Sequence, residues 1–328
     1  MRYPNFLRQG QMIGITAPSS GILDKKESYE YSILQLSNHG FLCRETNNVF
    51  TSGIVSGSGK QRADEFMELL KDPDIQVILC ATGGDFLMEM LPFLDFEIIR
   101  AYPKWVQGYS DPTGLLHSIL VNCEIATIYG ANAGGFDMSP WHPSLERNLD
   151  ILMGKEIIQN SFPKFQAGWK EDGEEFNLDS VTEWKTPHGN VDVQGRMMGG
   201  CLDCLWNLIG TSIDRTREFV EKYESDGFIW YFDIFALTAE DTYRALWQMN
   251  DAGWFVNVKG IVVGRVRFPN TMMELTYQNA IERLFPDIPL IMEADIGHVK
   301  PSLTIVNGAI GHVRAADGKG EIKLYWKE

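Results

Sequence analysis

Lys104-Trp-Val-Gln-Gly-Tyr-Ser-Asp-Pro-Thr113 is the stretch on which the fold reading turns. A short apolar run ends in Gly108-Tyr109-Ser110-Asp111, and a helix-like segment, residues 114–121, follows at once. A strand that passes straight into a helix through a tight turn lifts one side chain clear of the sheet. The N–H groups of the incoming helix can then face a developing negative charge. The lifted side chain is the Ser110 hydroxyl, so Ser110 is the candidate nucleophile and serine hydrolysis is the working class.

Outward from this turn the first half of the chain alternates. Residues 12–17 read as a buried strand with a turn at Pro18-Ser-Ser-Gly21, and 27–39 carry helical spacing with Gly40 as the stop. Residues 41–45 are strand-like, 61–70 form an amphipathic helix, and 76–82 are a strand that runs into Gly83-Gly84. A helix-like piece precedes the strand at 105–107, and 125–129 close the series. Strand and helix in alternation imply a mainly parallel, doubly wound sheet, whose ligands bind at the carboxyl ends of the strands. Three loops should gather there: 18–21, 83–84 and 108–111.

Residues 164–190 are polar and mixed in charge, with Trp169 and Trp184 interspersed. New elements start at Gly195: a helix over 201–209, a buried strand over 228–235 and a helix over 240–249. A strand over 260–266, a helix over 274–284 and a short strand over 289–292 follow. The expected organisation is an α/β chain with an N-terminal Rossmann-like domain, 1–160, a connecting segment, 161–194, and a smaller α/β domain, 195–328.

Composition narrows the class. The 328 residues are 44% hydrophobic and 22% charged, which suits a soluble globular protein. A formal net charge of −15 disfavours nucleic acid and anionic membranes as partners, since no basic face is on offer. With neither a charged-then-apolar leader nor a membrane-length apolar run, the cytoplasm is the expected location. Five cysteines are an odd count for a disulfide framework. Cys201 and Cys204 make a C-x-x-C, but Leu202, Leu205 and Trp206 around them read as a packed helix face, and no metal is expected.

A serine nucleophile needs a base and the base an orienting acceptor. Of six histidines, His39 reads as a helix cap and His117 points along the helix after Ser110. His142 and His188 fall in loops, and His312 in a strand near the C-terminus. His298, in Ala294-Asp-Ile-Gly-His-Val-Lys-Pro301, follows a strand and a glycine, where an exposed functional side chain belongs. Asp233 stands among large apolar residues in the strand at 228–235. A buried carboxylate there must be paired, and a histidine N–H is one natural partner; backbone N–H groups are another. Glu240, nearby, suits the first turn of the next helix. The oxyanion donors are the backbone N–H groups of Asp111 and of Gly83-Gly84, where no side chain blocks the approach. Asp85, beside them, would repel an oxyanion if turned inward. The chain order Ser110, Asp233, His298 is that of α/β-hydrolases, although Pro112 breaks their G-x-S-x-G pattern.

Taken in order, Ala17-Pro-Ser-Ser20, Gly83-Gly84 with Leu91-Pro-Phe-Leu-Asp95, Gly108-Tyr-Ser-Asp111, residues 195–200 with Leu208-Ile-Gly-Thr211, and Gly297-His298 resemble the LD-carboxypeptidase family of serine peptidases. The polar, Trp-containing stretch before Gly195 leans toward the microcin C immunity branch over the murein-recycling one. The resemblance implies a Ser–Glu–His triad without metal or cofactor, a homodimer, and a peptide or small-molecule substrate. By position the triad falls on Ser110, Asp233 and His298, and the oxyanion donors on Gly84 and Asp111. Asp233 replaces the family's glutamate, Cys201 its usual asparagine, and Asp85-Phe86-Leu87 its small polar residues. These departures leave a second reading open, a catalytically weakened binding or sensing protein for peptide or nucleotide-like ligands. Gly83, Asp85, Trp184 and Arg196 are candidate substrate contacts. Arg265 and Lys300 compete with Arg196 as the cation for a substrate carboxylate, and Trp169, Trp184 and Trp206 could stack on a base or simply pack.

Overall fold

The protein is described from a computed structural model over residues 1–168 and 175–326. It divides into two compact units. One comprises Met1–Glu156 with Glu175 and Thr304–Asn307, and the other residues 157–168, 176–303 and 308–326. The division thus falls before 160. The described part of the segment expected to connect two domains belongs, apart from Glu175, with the second unit, and Trp169 lies outside the described residues.

In the first unit β1 (Met12–Thr16), β2 (Leu42–Glu45), β3 (Ile75–Cys80), β4 (Trp105–Gly108) and β5 (Thr127–Tyr129) form a parallel sheet in the order β2-β1-β3-β4-β5. Strand β13 (Ile305–Asn307), from far along the chain, closes the β5 edge in antiparallel register. The helices are α1 (Lys26–Asn38), α2 (Gly59–Lys71), α3 (Phe96–Ala101), α4 (Thr113–Cys123) and α5 (Pro143–Leu152). Right-handed crossovers put α1 on one face and α2, α3 and α4 on the other. The strand order reverses between β1 and β3, the point at which sheets of this kind bind ligands beyond the strand ends. Ile13, Ile15, Val77, Leu79, Trp105 and Val106 are buried in the sheet. Residues 113–121 of α4 are all buried as well, which explains its lack of a polar face.

The second unit is built on β9 (Val191–Cys201), β10 (Phe228–Asp233), β11 (Val258–Gly264) and β12 (Leu290–Ala294), all parallel. Strands β14 (Ile310–Ala316), β15 (Lys319–Tyr325) and β6 (Ile158–Asn160) extend it in antiparallel register, giving the order β12-β11-β10-β9-β14-β15-β6. A two-stranded ribbon, β7 (Lys164–Phe165) with β8 (Ser180–Val181), and helices α6 (Leu202–Leu205), α7 (Thr216–Lys222), α8 (Ala239–Asp251) and α9 (Tyr277–Glu282) complete it.

The helix expected over 201–209 begins one residue later, because β9 runs through Cys201, and its last turn is a 3-10 turn at Trp206–Leu208. Gly195, Gly199 and Gly200 hide that long strand from a propensity reading. A Cβ on Gly199 would lie 1.9 Å from the Tyr231 carbonyl oxygen, so the glycine is required by close strand packing.

Candidate active site

In the first unit the three loops expected at the carboxyl ends do gather. Ser110 sits between β4 and α4 with φ +68°, a left-handed conformation that costs a non-glycine residue about 1 kcal/mol. The turn is held from several sides. The Ser110 N–H donates to the Tyr129 hydroxyl at 3.3 Å, its carbonyl accepts from Thr113 N–H at 2.9 Å, and Tyr109 N–H donates to Asn132 Oδ1 at 3.1 Å. A Cβ on Gly83 would lie 3.3 Å from Ser110 Oγ, so the loop after β3 lies against the hydroxyl. Gly84 has φ +152°, and a Cβ there would come within 2.2 Å of Ser19 Oγ. Only glycine lets this backbone run so close to the loop after β1.

The Asp111 carboxylate, buried, accepts from the Ser19 hydroxyl and from Leu87 N–H at 2.9 Å, which ties together the loops after β1, β3 and β4. Burial holds its pKa above the usual carboxylate range; the Ser19 and Leu87 hydrogen bonds oppose that shift, and exposed Asp85 adds to it. Arg62, on α2 and 0% exposed, reinforces the same frame by donating to the Pro18 carbonyl at 3.0 Å, to the Phe86 carbonyl at 2.9 Å and to Glu89 at 2.6 Å. Asp111 therefore contributes its side chain to the scaffold, and its backbone N–H stands at the start of the turn into α4.

In the second unit Asp233 ends β10 and is 0% exposed. His298 Nδ1 lies 2.7 Å from Asp233 Oδ2, and the His298 backbone N–H donates to Asp233 Oδ1 at 3.2 Å. The carboxylate thus fixes both the ring and the backbone of the residue. The loop after β12 must pass over the end of β11 to bring His298 there. Gly264, which ends β11, permits it, since a Cβ would lie 2.2 Å from the Ile296 carbonyl oxygen. Gly297, at φ +94°, brings the backbone onto Asp233, and a Cβ there would lie 2.0 Å from Oδ1. The ring of Phe235 covers the imidazole at 4.6 Å between centroids.

Two further carboxylates support the pair. Asp203, on α6, accepts from the N–H groups of Phe235 at 2.9 Å, Ala236 at 2.9 Å and Leu237 at 3.0 Å, and so shapes the chain leaving β10. Asp295, fully buried, pairs with Arg265 at 2.7 Å and accepts from Trp184 Nε1 and Phe162 N–H, each at 3.0 Å. Burial raises its pKa and the Arg265 guanidinium opposes the rise. The sequence reading passed over both. Asp295 stood in plain view directly after a buried strand, three positions before His298; the backbone N–H groups that Asp203 accepts from lie more than thirty residues away and leave no local signal.

Several expected substrate contacts are occupied in other ways. Trp184 is 1% exposed and its ring covers Gly320, so it packs and anchors Asp295. Arg196 is buried, donates from Nε to Asp226 at 2.9 Å and lies over the Tyr223 ring at 4.4 Å. Arg265 belongs to the Asp295 pair. Lys300 is half-buried two residues beyond His298. Glu240 stands in the first turn of α8 and accepts from Thr271 Oγ1, Met272 N–H and Met273 N–H, with its pKa lowered to about 2 chiefly by the Met272 contact. The other histidines have structural partners as well. His39 stacks on Trp141 at 3.5 Å, His142 caps α5, and His312 meets Asp192 at 2.6 Å. Cys201 departs from expectation: it is the last residue of β9, not part of a helix face, and its Sγ, an Asp233 oxygen and a His298 ring nitrogen all lie within 4.8 Å of one another.

Comparison with known proteins agrees with these features. Residues 13–130 match the N-terminal domain model of the LD-carboxypeptidases, and residues 194–313 match the C-terminal domain model. The microcin C7 self-immunity protein MccF of Escherichia coli is 34% identical over 171 residues, a match spanning 48% of each chain. A putative carboxypeptidase of Vibrio cholerae is 27% identical over 327 residues, covering 95% of both. A solved structure of MccF in complex with aspartyl sulfamoyl adenosine shares the fold, with a TM-score of 0.83 at 23% identity over 99% of each chain. The α/β units, the serine turn and the matches over both halves lead to one conclusion: this chain belongs to the LD-carboxypeptidase family of serine-type carboxypeptidases.

Proposed function

We propose that this protein is a metal-independent serine carboxypeptidase that cleaves a small amide through an acyl-enzyme. The observation that carries the reading is the His298–Asp233 pair, a histidine held at 2.7 Å by a fully buried carboxylate. Asp233 is one methylene shorter than the family's glutamate. The approach of the His298 loop across Gly264 and Gly297 supplies the missing reach, which supports an active pair over a catalytically weakened binding protein.

In this mechanism His298 Nε2 takes the Ser110 proton as Oγ attacks the carbonyl, while Asp233 holds the tautomer with the proton on Nδ1 and stabilises the imidazolium. The N–H groups of Gly84 and Asp111 receive the oxyanion. The imidazolium then protonates the leaving amine, and water, deprotonated by His298, cleaves the ester. We place Gly83 and Asp85 along the substrate path, and Lys300, half-buried two residues beyond His298, beside the substrate carboxylate.

The similarity to MccF favours an aminoacyl-nucleotide-like conjugate over a murein LD-peptide. A homodimer in the cytoplasm is the expected state; among the described residues no helix is long and apolar enough to cross a membrane. The test is mass spectrometry of a panel incubated with wild type and with Ser110→Ala: an aminoacyl sulfamoyl adenosine, a murein-type LD-tetrapeptide and ordinary LL-peptides. Cleavage of one member, lost in the variant, supports the reading. A folded wild type that cleaves none of them refutes it.

A further inference from the structure

The Cys201 thiol has no part in the mechanism above, yet the fold delivers it to the same carboxylate that orients His298. Strands β9 and β10 are paired in parallel register with Cys201 opposite Asp233, so the two side chains leave adjacent strand ends. His298 arrives from the loop after β12, and the three potential donor atoms fall within 4.8 Å of one another. Cys201 and Asp233 are 1% and 0% exposed, and the His298 side chain is 10% exposed, which leaves one open side. Cys204, three residues on and partly exposed, adds a second sulfur next to Cys201.

Thiolate, imidazole and carboxylate together form a mixed set that suits a borderline divalent ion such as Zn²⁺ or Co²⁺. Tetrahedral ligation at about 2.0–2.3 Å from each donor needs donors roughly 3.3–3.7 Å apart, so forming the site asks the donor separations to change by up to about 1.5 Å, with the 2.7 Å Asp233–His298 contact opening. Asparagine, the residue the family resemblance puts at position 201, would offer no thiolate.

We propose that Cys201, Asp233 and His298 form an inhibitory site for a thiophilic divalent cation, peculiar to a chain that carries cysteine at this position. On binding, the thiol proton leaves to solvent and Cys201 Sγ forms a bond to the metal. An Asp233 oxygen donates a lone pair, His298 Nδ1 ligates as its proton passes to Nε2, and water takes the fourth position. The ligated imidazole no longer accepts the Ser110 proton, so the metal switches turnover off without touching the nucleophile.

The inference extends the catalytic reading, but its test stands apart from it. Reduced, chelator-treated protein is titrated with Co²⁺ alone and followed by absorption, since thiolate ligation gives a near-ultraviolet charge-transfer band and tetrahedral coordination gives intense visible bands. The expected result is one equivalent bound per chain with both signatures. The charge-transfer band should be lost in Cys201→Ser and in Cys201→Asn, and the visible bands altered in His298→Gln. Ser110→Ala should bind as wild type does, so metal binding is read even where no substrate is cleaved. On any substrate that is cleaved, Zn²⁺ should inhibit wild type at least tenfold more strongly than Cys201→Asn. Absence of a charge-transfer band in wild type, or its persistence in both Cys201 variants, overturns the proposal.

Discussion

Replacing Gly297 by alanine tests the link between backbone and chemistry directly. At φ +94° an alanine is strained by about 1–2 kcal/mol, and its Cβ would stand 2.0 Å from Asp233 Oδ1 and 2.1 Å from Cγ. Real contacts of this kind are not found below 3.0 Å, so either the carboxylate or the His298 loop must move by at least 1 Å. Overpacking of this sort costs about 1–3 kcal/mol. The expected loss of stability is therefore about 2–5 kcal/mol, and a displacement of that size at a catalytic pair costs about 10²-fold in kcat. The matched control is Gly189→Ala in the same unit: its φ is +92° and nothing lies within 4 Å of the new Cβ, so it carries the backbone strain without the collision. Urea unfolding and steady-state kinetics on both variants separate the two contributions. If Gly297→Ala retains kcat within twofold of Gly189→Ala and unfolds at the same urea concentration, the argument that glycine is there to seat Asp233 against His298 is wrong.

Ser110→Gly should abolish turnover and yet unfold about 0.5–1 kcal/mol later than Ser110→Ala, because glycine accepts φ +68° without strain; equal midpoints for the two would deny the strained turn. Gly83→Ala puts a Cβ 3.2 Å from Ser110 Cβ with no unfavourable φ, so kcat should fall roughly tenfold at little cost in stability, and an unchanged kcat would remove Gly83 from the substrate path. Arg62→Ala leaves two carbonyls of the loops after β1 and β3 without their donor and should cost about 2–4 kcal/mol, read by urea unfolding; a change below about 0.5 kcal/mol would show that the loops hold their own shape. Glu240 has a folded pKa depressed to about 2, so its contribution is fully present above the unfolded carboxylate range and vanishes as pH falls toward that value. The thermal midpoints of wild type and Glu240→Gln should differ at pH 7 and converge near pH 2; a constant gap would exclude the carboxylate as the cause.

Much of the architecture was legible because its signals are local. The strands of the first unit are short apolar runs with turn residues after them, and their alternation with helices dictates a parallel sheet and puts the loops after β1, β3 and β4 at one end. Ser110 announced itself by standing between a buried strand and an apolar helix, and Asp233 by being a carboxylate among large apolar side chains. Strand β9 escaped notice because its glycines answer to the carbonyls of a neighbouring strand, not to their own propensity.

Side-chain partners at long range were the part no pattern could give. Trp184 and Arg196 have the chemistry of ligand contacts, and only the folded chain shows them spent: Trp184 on Asp295, a buried carboxylate that must be neutralised or hydrogen-bonded, and the buried Arg196 guanidinium on the half-buried Asp226. By itself the sequence determined the strand–helix alternation of the first unit and the candidate nucleophile, acid and base, all of which depend on neighbours within a few residues. Tertiary structure alone decided that His298 reaches Asp233 over two glycines, that Asp111 ties three loops together, and that a strand register delivers Cys201 to the same carboxylate. Those contacts join residues far apart in the chain, and their geometry is set by sheet pairing and close backbone approach, which no local composition encodes.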